Sequence, residues 1–284
     1  MDRRSDESAK LGRRTLLKAV GLGAAGYALS VQPIRAETIV TDTTGLRVED
    51  VTVPRAGAQI PLYVAQPEGP GPFPAVIVIH EIFGQHEHIR DVARRFAKAG
   101  FIAAAPELYF REGGVKQLKS IGEVLEVVRS VPDRQVLDDL GAVLTHLKAL
   151  PAASGKVGAT GFCWGGGATW LFVADNPGLD AGVAWYGRMT NWGSGSLHPH
   201  NPIDLATQMH APVLGLYGGQ DGSISAEQIE AMQAALRKAG KTAEFVVYPD
   251  APHAFHADYR PSYREAAAKD GWQRCLAWFR KYLA

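Results

Sequence analysis

A cysteine stands among glycines in the segment GFCWGG, residues 161–166. Residues 156–161 before it are predicted to form a strand, and the residues after Cys163 are predicted to form a helix. A sharp turn from strand to helix strains the nucleophile's backbone, and glycines on either side remove steric conflicts. Helix N-terminal N–H groups there favour a thiolate. The segment predicts a nucleophilic Cys163, although a structural cysteine in a glycine-rich turn would give the same pattern.

Two polar residues follow later predicted strands. Asp221 lies after strand 213–217, and His253 lies after strand 244–248. Each alone could be an ordinary loop residue, but the order nucleophile, acid, histidine is that of the α/β-hydrolases. Parallel sheets gather such residues at the carboxyl ends of their strands. His253 could accept the thiol proton and later protonate the leaving alkoxide, while Asp221 orients the imidazole.

Acyl transfer also needs donors for the oxyanion that forms on the substrate. In this class of fold one donor is the backbone N–H of the residue after the nucleophile, here Trp164. The second comes from the loop after an early strand, here the apolar run 75–79. Ile82 is the candidate for that second backbone N–H.

Short apolar runs alternate with amphipathic stretches from residue 47 onward. Such alternation predicts βαβ units and an α/β-hydrolase fold, with a mostly parallel central sheet and helices on both faces. Residues 48–53 and 59–65 alternate polar and apolar and predict an N-terminal antiparallel hairpin. Further strands are predicted at 75–79, 101–105, 156–161, 182–186, 213–217 and 244–248.

Helices are predicted around 89–97, over 133–150, after Cys163, over 225–240 and over 262–283. Capping boxes at Ser225 and Ser262 open the last two of these helices. Residues 187–210 form the longest irregular stretch, a length that is often functional. The sequence contains no internal repeat or linker, so residues 37–284 are predicted to form a single domain.

The first 36 residues resemble a bacterial twin-arginine signal peptide. The segment GRRTLLK, residues 12–18, precedes thirteen uncharged, mostly apolar residues, 19–31. That run is shorter than the about 20 residues needed to span a bilayer, and cleavage before Glu37 is expected. We therefore expect export by the twin-arginine machinery to the periplasm or beyond, with no stable membrane insertion afterwards. An uncleaved arm or a lipid-facing anchor is the alternative.

Composition narrows the classes of partner. A formal net charge of +1 over 284 residues gives no reason to expect a nucleic-acid partner. With two cysteines, a disulfide framework cannot hold the domain together, and Cys275 in an apolar helical pattern is expected in the core. His80, His86 and His88 could suggest zinc, but no matching ligand set occurs elsewhere. No metal or organic cofactor is expected.

Three segments together are similar to the dienelactone hydrolase family: GFCWGG at 161–166, HEIFG at 80–84 and HAF at 253–255. The resemblance covers about residues 47–284. It implies a Cys163, Asp221 and His253 triad, and Glu81 as the acidic partner of the resting thiol. It also implies a small-molecule ester or lactone substrate, as for a carboxymethylenebutenolidase. From the residues alone, Glu81 could equally be a helix N-terminal acid.

The resemblance also indicates which residues would bind a substrate carboxylate. By the resemblance, Arg111 in the segment PELYFR (106–111) takes the anion-binding place, although it could also be a solvated surface residue. The second arginine of the family is expected four residues after His253, where Ala257 stands, with His256 and Arg260 nearby. Alternatives are a thioesterase or peptidase of the same fold, or a non-catalytic binding protein. Aromatic residues could line an apolar pocket: Phe83, Tyr109, Trp164 and Trp192.

Overall fold

The computed structural model describes residues 39–284, and the predicted signal peptide 1–36 lies outside the described residues. Eight strands form one sheet in the order β1-β2-β4-β3-β5-β6-β7-β8. The strands are β1 Leu46–Arg55, β2 Ala58–Pro67, β3 Phe73–Ile79, β4 Ile102–Pro106, β5 Ala153–Phe162, β6 Ala181–Trp185, β7 Val213–Gly218 and β8 Ala243–Tyr248. β2 pairs antiparallel with β1 and with β4, and all other pairs are parallel. The predicted hairpin and the mostly parallel sheet are confirmed.

Six α-helices occur within residues 39–284: α1 Glu87–Lys98, α2 Ile121–Ser130, α3 Asp133–Lys148, α4 Trp164–Asp175, α5 Ala226–Lys238 and α6 Glu265–Tyr282. Short 3₁₀ segments occupy Phe110–Glu112 and Pro202–Gln208. Helix α2 was not predicted, although the capping box of Ser120 and Glu123 opens it. No helix in this part of the chain has the length and apolarity to cross a membrane.

The predicted start of the last helix was wrong. Ser262 caps no helix, because its hydroxyl donates to the carbonyl oxygen of Ala254 at 3.2 Å. Helix α6 begins three residues later, at Glu265, after an Arg264 N-cap without a side-chain hydrogen bond. The serine therefore fastens the loop that carries His253. The predicted capping box at Ser225 is confirmed, since its hydroxyl accepts from the backbone N–H of Gln228.

Two apolar clusters lie on opposite faces of the sheet. One packs α3, α4 and α5 against the sheet, and the other packs α1 and α6. The core of β3, residues 75–79, is fully buried, as expected for a strand covered on both faces. Cys275 lies buried in the second cluster, as predicted. Both sheet faces are thus covered, and the carboxyl ends of the parallel strands are left to carry the loops of the site.

Candidate active site

Cys163 occupies the sharp turn between β5 and α4, with a left-handed backbone at φ 57°. A side chain at Gly161 would lie 2.0 Å from the carbonyl oxygen of Gly165, and one at Gly165 would lie 2.4 Å from that of Ile79. Only glycine fits at either position, because real Cβ contacts are never so short. The predicted strand–turn–helix geometry around Cys163 is confirmed. The cysteine is 3% exposed.

Asp221 and His253 meet at the carboxyl ends of β7 and β8. Their Oδ2 and Nδ1 atoms are 2.6 Å apart, and both side chains are buried. Ser223 donates to the other carboxylate oxygen through its backbone N–H and its hydroxyl, at 2.8 and 2.6 Å. Burial alone would raise the pKa of Asp221, but the charge of His253 and these hydrogen bonds hold it below its usual value. Asp221 is therefore an anion aimed at His253.

His253 links Asp221 to Cys163. Burial would lower the pKa of His253, but the negative charge of Asp221, together with the charge and hydrogen bond of Cys163, raises it to about 10. The imidazole is therefore protonated at neutral pH, and a protonated imidazole stabilises negative charge on a neighbouring sulfur. The structure brings the three predicted residues, distant in sequence, into one contiguous chain of contacts.

The two predicted oxyanion donors belong to adjacent segments. Trp164 is the first residue of α4, and the start of that helix packs against the end of β3 through Gly165. Ile82 is buried in the loop that follows β3. That loop is fixed by His80, whose Nε2 accepts from the backbone N–H of Leu108 at 3.1 Å and whose Nδ1 lies 2.6 Å from the carbonyl oxygen of Glu81.

Glu81 is buried in a cluster of polar side chains. Arg260 Nη2 donates to its Oε2 from 3.3 Å, the Tyr259 hydroxyl donates to the same oxygen, and His86 Nε2 is 3.5 Å away. Burial would raise the pKa of Glu81, but Arg260, His86 and Tyr259 together lower it below its usual value. Glu81 is thus an anion whose charge is balanced by Arg260. The sequence indicated Arg260 only as a nearby residue.

We expect Glu81→Gln to destabilise the protein, because it leaves the buried Arg260 guanidinium without a counter-charge. Breaking a buried ion pair from one side costs about 3–5 kcal/mol. The lowered pKa of Glu81 also means that its stabilisation is present above pH ~4.3, the ordinary glutamate value, and is lost as the pH falls further. Urea unfolding between pH 3 and pH 7 measures both effects. The surface variant Glu265→Gln is the control, and an equal loss in the two variants would contradict the prediction.

The Arg111 side chain is already paired with a carboxylate. Its guanidinium makes two hydrogen bonds to the fully buried Asp139 on α3, the Nη2 bond being 3.0 Å long. The same group lies over the ring of Phe110, 4.3 Å from its centroid. With its side chain 23% exposed, Arg111 is neither a solvated surface residue nor an unpaired cation. Any anion would have to bind the edge of the guanidinium that Asp139 leaves open.

His86 and His88, two of the histidines that could suggest zinc, lie at the start of α1 and make contacts within the fold. His86 lies beside Glu81, and His88 Nδ1 is 3.2 Å from Asp258 Oδ1. Among residues 39–284, no group of three or more His, Cys, Asp or Glu side chains is arranged to hold a metal ion. These histidines instead join the polar cluster around Glu81.

Aromatic rings pack around Trp164, the residue that follows Cys163. The indole of Trp164 stacks on Trp192 with ring centroids 6.0 Å apart, and it contacts Tyr109 at 5.1 Å. Trp192 Nε1 donates to Asp133 Oδ1 at 2.9 Å, which fixes the irregular stretch 187–210 to the start of α3. Phe83 lies instead under the Arg260 guanidinium, 4.8 Å away. Three of the four predicted aromatic residues thus form one apolar wall.

Tyr186 was missed by the sequence analysis. It directly follows β6, and its ring meets that of His253 edge-on with centroids 5.1 Å apart. The rule that identified Asp221 and His253, a polar residue just after a predicted strand, would also have found Tyr186 had the predicted strand ended one residue earlier. Tyr259 was missed for a different reason, because nothing in its local sequence shows that it reaches Glu81.

The chain is similar to known proteins over most of its length. A sequence profile of the dienelactone hydrolase family matches residues 60–283. A Methylorubrum extorquens protein named "Putative carboxymethylenebutenolidase" is 53% identical over 96% of this chain and 94% of its own length. A crystal structure from Klebsiella pneumoniae, called a "Putative Dienelactone Hydrolase", superposes with a TM-score of 0.80 at 50% identity, over 84% of this chain and 99% of that one. Pyrococcus horikoshii acylaminoacyl peptidase shares the fold at 15% identity and a TM-score of 0.64, over 84% of this chain and 42% of its own.

Proposed function

Because the chain belongs to the dienelactone hydrolase family, we propose that it hydrolyses small carboxylic esters or lactones with Cys163 as nucleophile. The observation that carries this proposal is His253, which contacts Asp221 on one side and Cys163 on the other. A thiolate beside an imidazolium is the activated form of a cysteine nucleophile. The family and the α/β fold support a hydrolase, and the site geometry supports this particular assignment of roles.

In the acylation step, Cys163 Sγ forms a bond to the substrate carbonyl carbon. The carbonyl oxygen becomes an oxyanion, for which the backbone N–H groups of Trp164 and Ile82 are the proposed donors. The bond to the alkoxide then breaks, and the alkoxide takes the Nε2 proton of His253. Water, deprotonated by His253, next attacks the thioester and releases the acid and the Cys163 thiolate. Asp221 keeps the imidazole oriented throughout.

Glu81 is proposed as the acidic partner of the resting thiol. Its carboxylate is an anion held by Arg260 and Tyr259, and its charge acts on neighbouring groups of the site. A fixed anion near Cys163 would oppose the thiolate until a substrate group changes the balance of charge. This role would make the nucleophile most reactive when substrate is bound.

A small ester and a carboxylated substrate distinguish the substrate classes. We expect the mature protein to hydrolyse both p-nitrophenyl acetate and a carboxylated enol-lactone. If the open edge of Arg111 binds the carboxylate, Arg111→Ala should raise KM for the lactone about tenfold, because one charge-assisted contact of about 1.5 kcal/mol is lost. The rate on p-nitrophenyl acetate should not change.

The matched control is Arg134→Ala. This variant removes an arginine on α3 that is likewise paired with an aspartate, Asp175. An equal change in KM for the two substrates in Arg111→Ala would show that Arg111 serves only its pair with Asp139. A folded wild-type protein inert on both substrates would contradict the proposed hydrolase and favour a binding protein.

We also propose that the chain is exported by the twin-arginine route. The support is the sequence of residues 1–36, with its arginine pair and short apolar run. N-terminal sequencing of the protein from the periplasm of a bacterial host tests it. A start near Glu37 is expected, and an unprocessed Met1 on all of the protein would contradict cleavage.

A further inference from the structure

Tyr186 is the immediate neighbour of the nucleophile across the sheet. In the parallel pair β5 and β6, Phe162 lies opposite Trp185, so the next positions are Cys163 and Tyr186. The backbone N–H of Cys163 donates to the carbonyl oxygen of Trp185 at 3.0 Å, which continues the pairing to the strand ends. The two residues therefore leave the sheet side by side at its catalytic edge.

The backbone of Tyr186 is strained. Its φ of 39° lies in the left-handed region, which a bulky aromatic residue rarely adopts. Within residues 39–284, five residues other than glycine have a positive φ, and they are Ala56, Cys163, Tyr186, Asn191 and Ala254. Cys163 is the proposed nucleophile and Ala254 follows His253. Strain of this kind persists where the surrounding structure enforces it and clusters at functional sites.

The surroundings of Tyr186 do enforce its position. Its N–H donates to the carbonyl oxygen of Leu216 at 2.8 Å. Gly187, the next residue, packs so closely on α4 that a Cβ there would lie 2.2 Å from the carbonyl carbon of Gly166. The fold thus holds this tyrosine against the turn that carries the nucleophile.

The hydroxyl of Tyr186 is buried and has no hydrogen-bond partner among the described residues. An unsatisfied buried hydroxyl costs stability, so its retention calls for an explanation.

Tyr217, at the end of the adjacent strand β7, is different: its hydroxyl accepts from Trp170 Nε1 at 3.0 Å and donates to the carbonyl oxygen of Gly187 at 3.1 Å. Burial and the negative charge of Glu81 raise the pKa of Tyr186 well above its usual value. Tyr186 is therefore a neutral donor with a proton to share.

The position of Tyr186 identifies the atom that would accept this hydrogen bond. Strand β5, which carries Cys163, lies between β3 and β6. The proposed oxyanion donor Ile82 follows β3, so the carbonyl oxygen of the substrate points to that side. Tyr186 follows β6 on the other side, with its ring against His253. The leaving-group oxygen must also lie on the side of His253, because it takes its proton from there.

We propose that Tyr186 is a catalytic residue whose hydroxyl donates a hydrogen bond to the leaving-group oxygen during acylation. This inference rests on the proposed hydrolase function. As the bond between the carbonyl carbon and the leaving oxygen breaks, its electron pair goes to that oxygen. The Nε2 proton of His253 transfers to the oxygen, while the Tyr186 proton stays on the phenol and only stabilises the developing charge.

The test is Tyr186→Phe, assayed on acetate esters whose leaving groups differ in basicity. A poor leaving group develops more negative charge before protonation and needs the donor more. We expect kcat/KM to fall at least about 30-fold on ethyl acetate and less than about threefold on p-nitrophenyl acetate, since one lost transition-state donor costs about 10²-fold. We also expect an unchanged or higher Tm, because the variant removes an unsatisfied polar group.

The matched control is Tyr217→Phe, which removes a hydroxyl that is fully hydrogen-bonded and should lower the Tm without any dependence on leaving group. A loss in Tyr186→Phe that is the same for both esters, an absent loss, or a Tm lowered by several degrees would overturn the inference. These results leave the proposed function intact so long as Cys163→Ala is inactive. Activity that survives Cys163→Ala would overturn the proposed function, and this inference with it.

Discussion

Replacing Cys163 by alanine is expected to lower kcat/KM for p-nitrophenyl acetate by at least about 10⁴-fold. Loss of a covalent nucleophile leaves only the binding groups and the oxyanion donors, and residual catalysis of that kind is small. The fold should survive, because the cysteine backbone is held by hydrogen bonds from the N–H groups of Gly166 and Gly167 and to the carbonyl oxygen of Trp185. Initial rates of the purified mature proteins, with circular dichroism to check folding, measure the effect.

The second cysteine provides the control. Cys275 is buried in α6 between Thr160 and Trp185, and burial raises the pKa of its thiol far above the usual value. Cys275→Ala should therefore keep its activity within about threefold while losing some stability from the small cavity, roughly 1 kcal/mol. Iodoacetamide should inactivate the wild type and Cys275→Ala at equal rates. Comparable activity in Cys163→Ala and the wild type would exclude a cysteine nucleophile in this protein.

Asp221→Asn is expected to lower kcat by about 10³–10⁴-fold, with a much smaller change in KM. The amide is nearly isosteric but cannot stabilise the imidazolium, and it can donate to Nδ1 and so favour the wrong tautomer of His253. The pKa of His253, which Asp221 and Cys163 raise to about 10, should then fall towards the ordinary histidine value. The pH profile of kcat/KM and the rate of Cys163 alkylation at neutral pH should both change.

The same variant tests a linkage between charge and stability. Because the pKa of His253 is raised in the folded state, its contribution is fully present below pH ~6.5, the unperturbed value, and is lost as pH rises through about 10. Urea unfolding of the wild type should therefore show a falling free energy of unfolding between pH 7 and 10, and Asp221→Asn should flatten this slope. Asp250→Asn, an exposed residue of the His253 loop, is the control. An unchanged slope in Asp221→Asn would show that Asp221 does not set the charge of His253.

Most of the fold could be predicted from the sequence, because strands, helices and sharp turns are specified by residues that are neighbours along the chain. The apolar run 75–79 predicted a strand buried on both faces, and the alternation in 48–53 and 59–65 predicted the hairpin. The glycines around Cys163 predicted the sharp turn, since only glycine fits where the start of α4 meets β3. The prediction at Ser262 was wrong because a serine three residues before a glutamate satisfies the capping pattern even when a tertiary partner, here the carbonyl oxygen of Ala254, takes its hydroxyl.

Tertiary structure decided which charges meet. The pairs Arg260–Glu81 and Arg111–Asp139 join residues 179 and 28 positions apart, and no periodicity relates their partners. A sequence motif places a side chain at the end of its strand, but its neighbours depend on strand order, which here sets β6 and Tyr186 directly beside β5 and Cys163. The sequence by itself indicated the residues proposed as nucleophile, acid and base, and it predicted the elements that carry them. Only the packing of the sheet and its loops determined the charge of Glu81 and the burial of the Tyr186 hydroxyl. Both depend on contacts between residues that are distant along the chain.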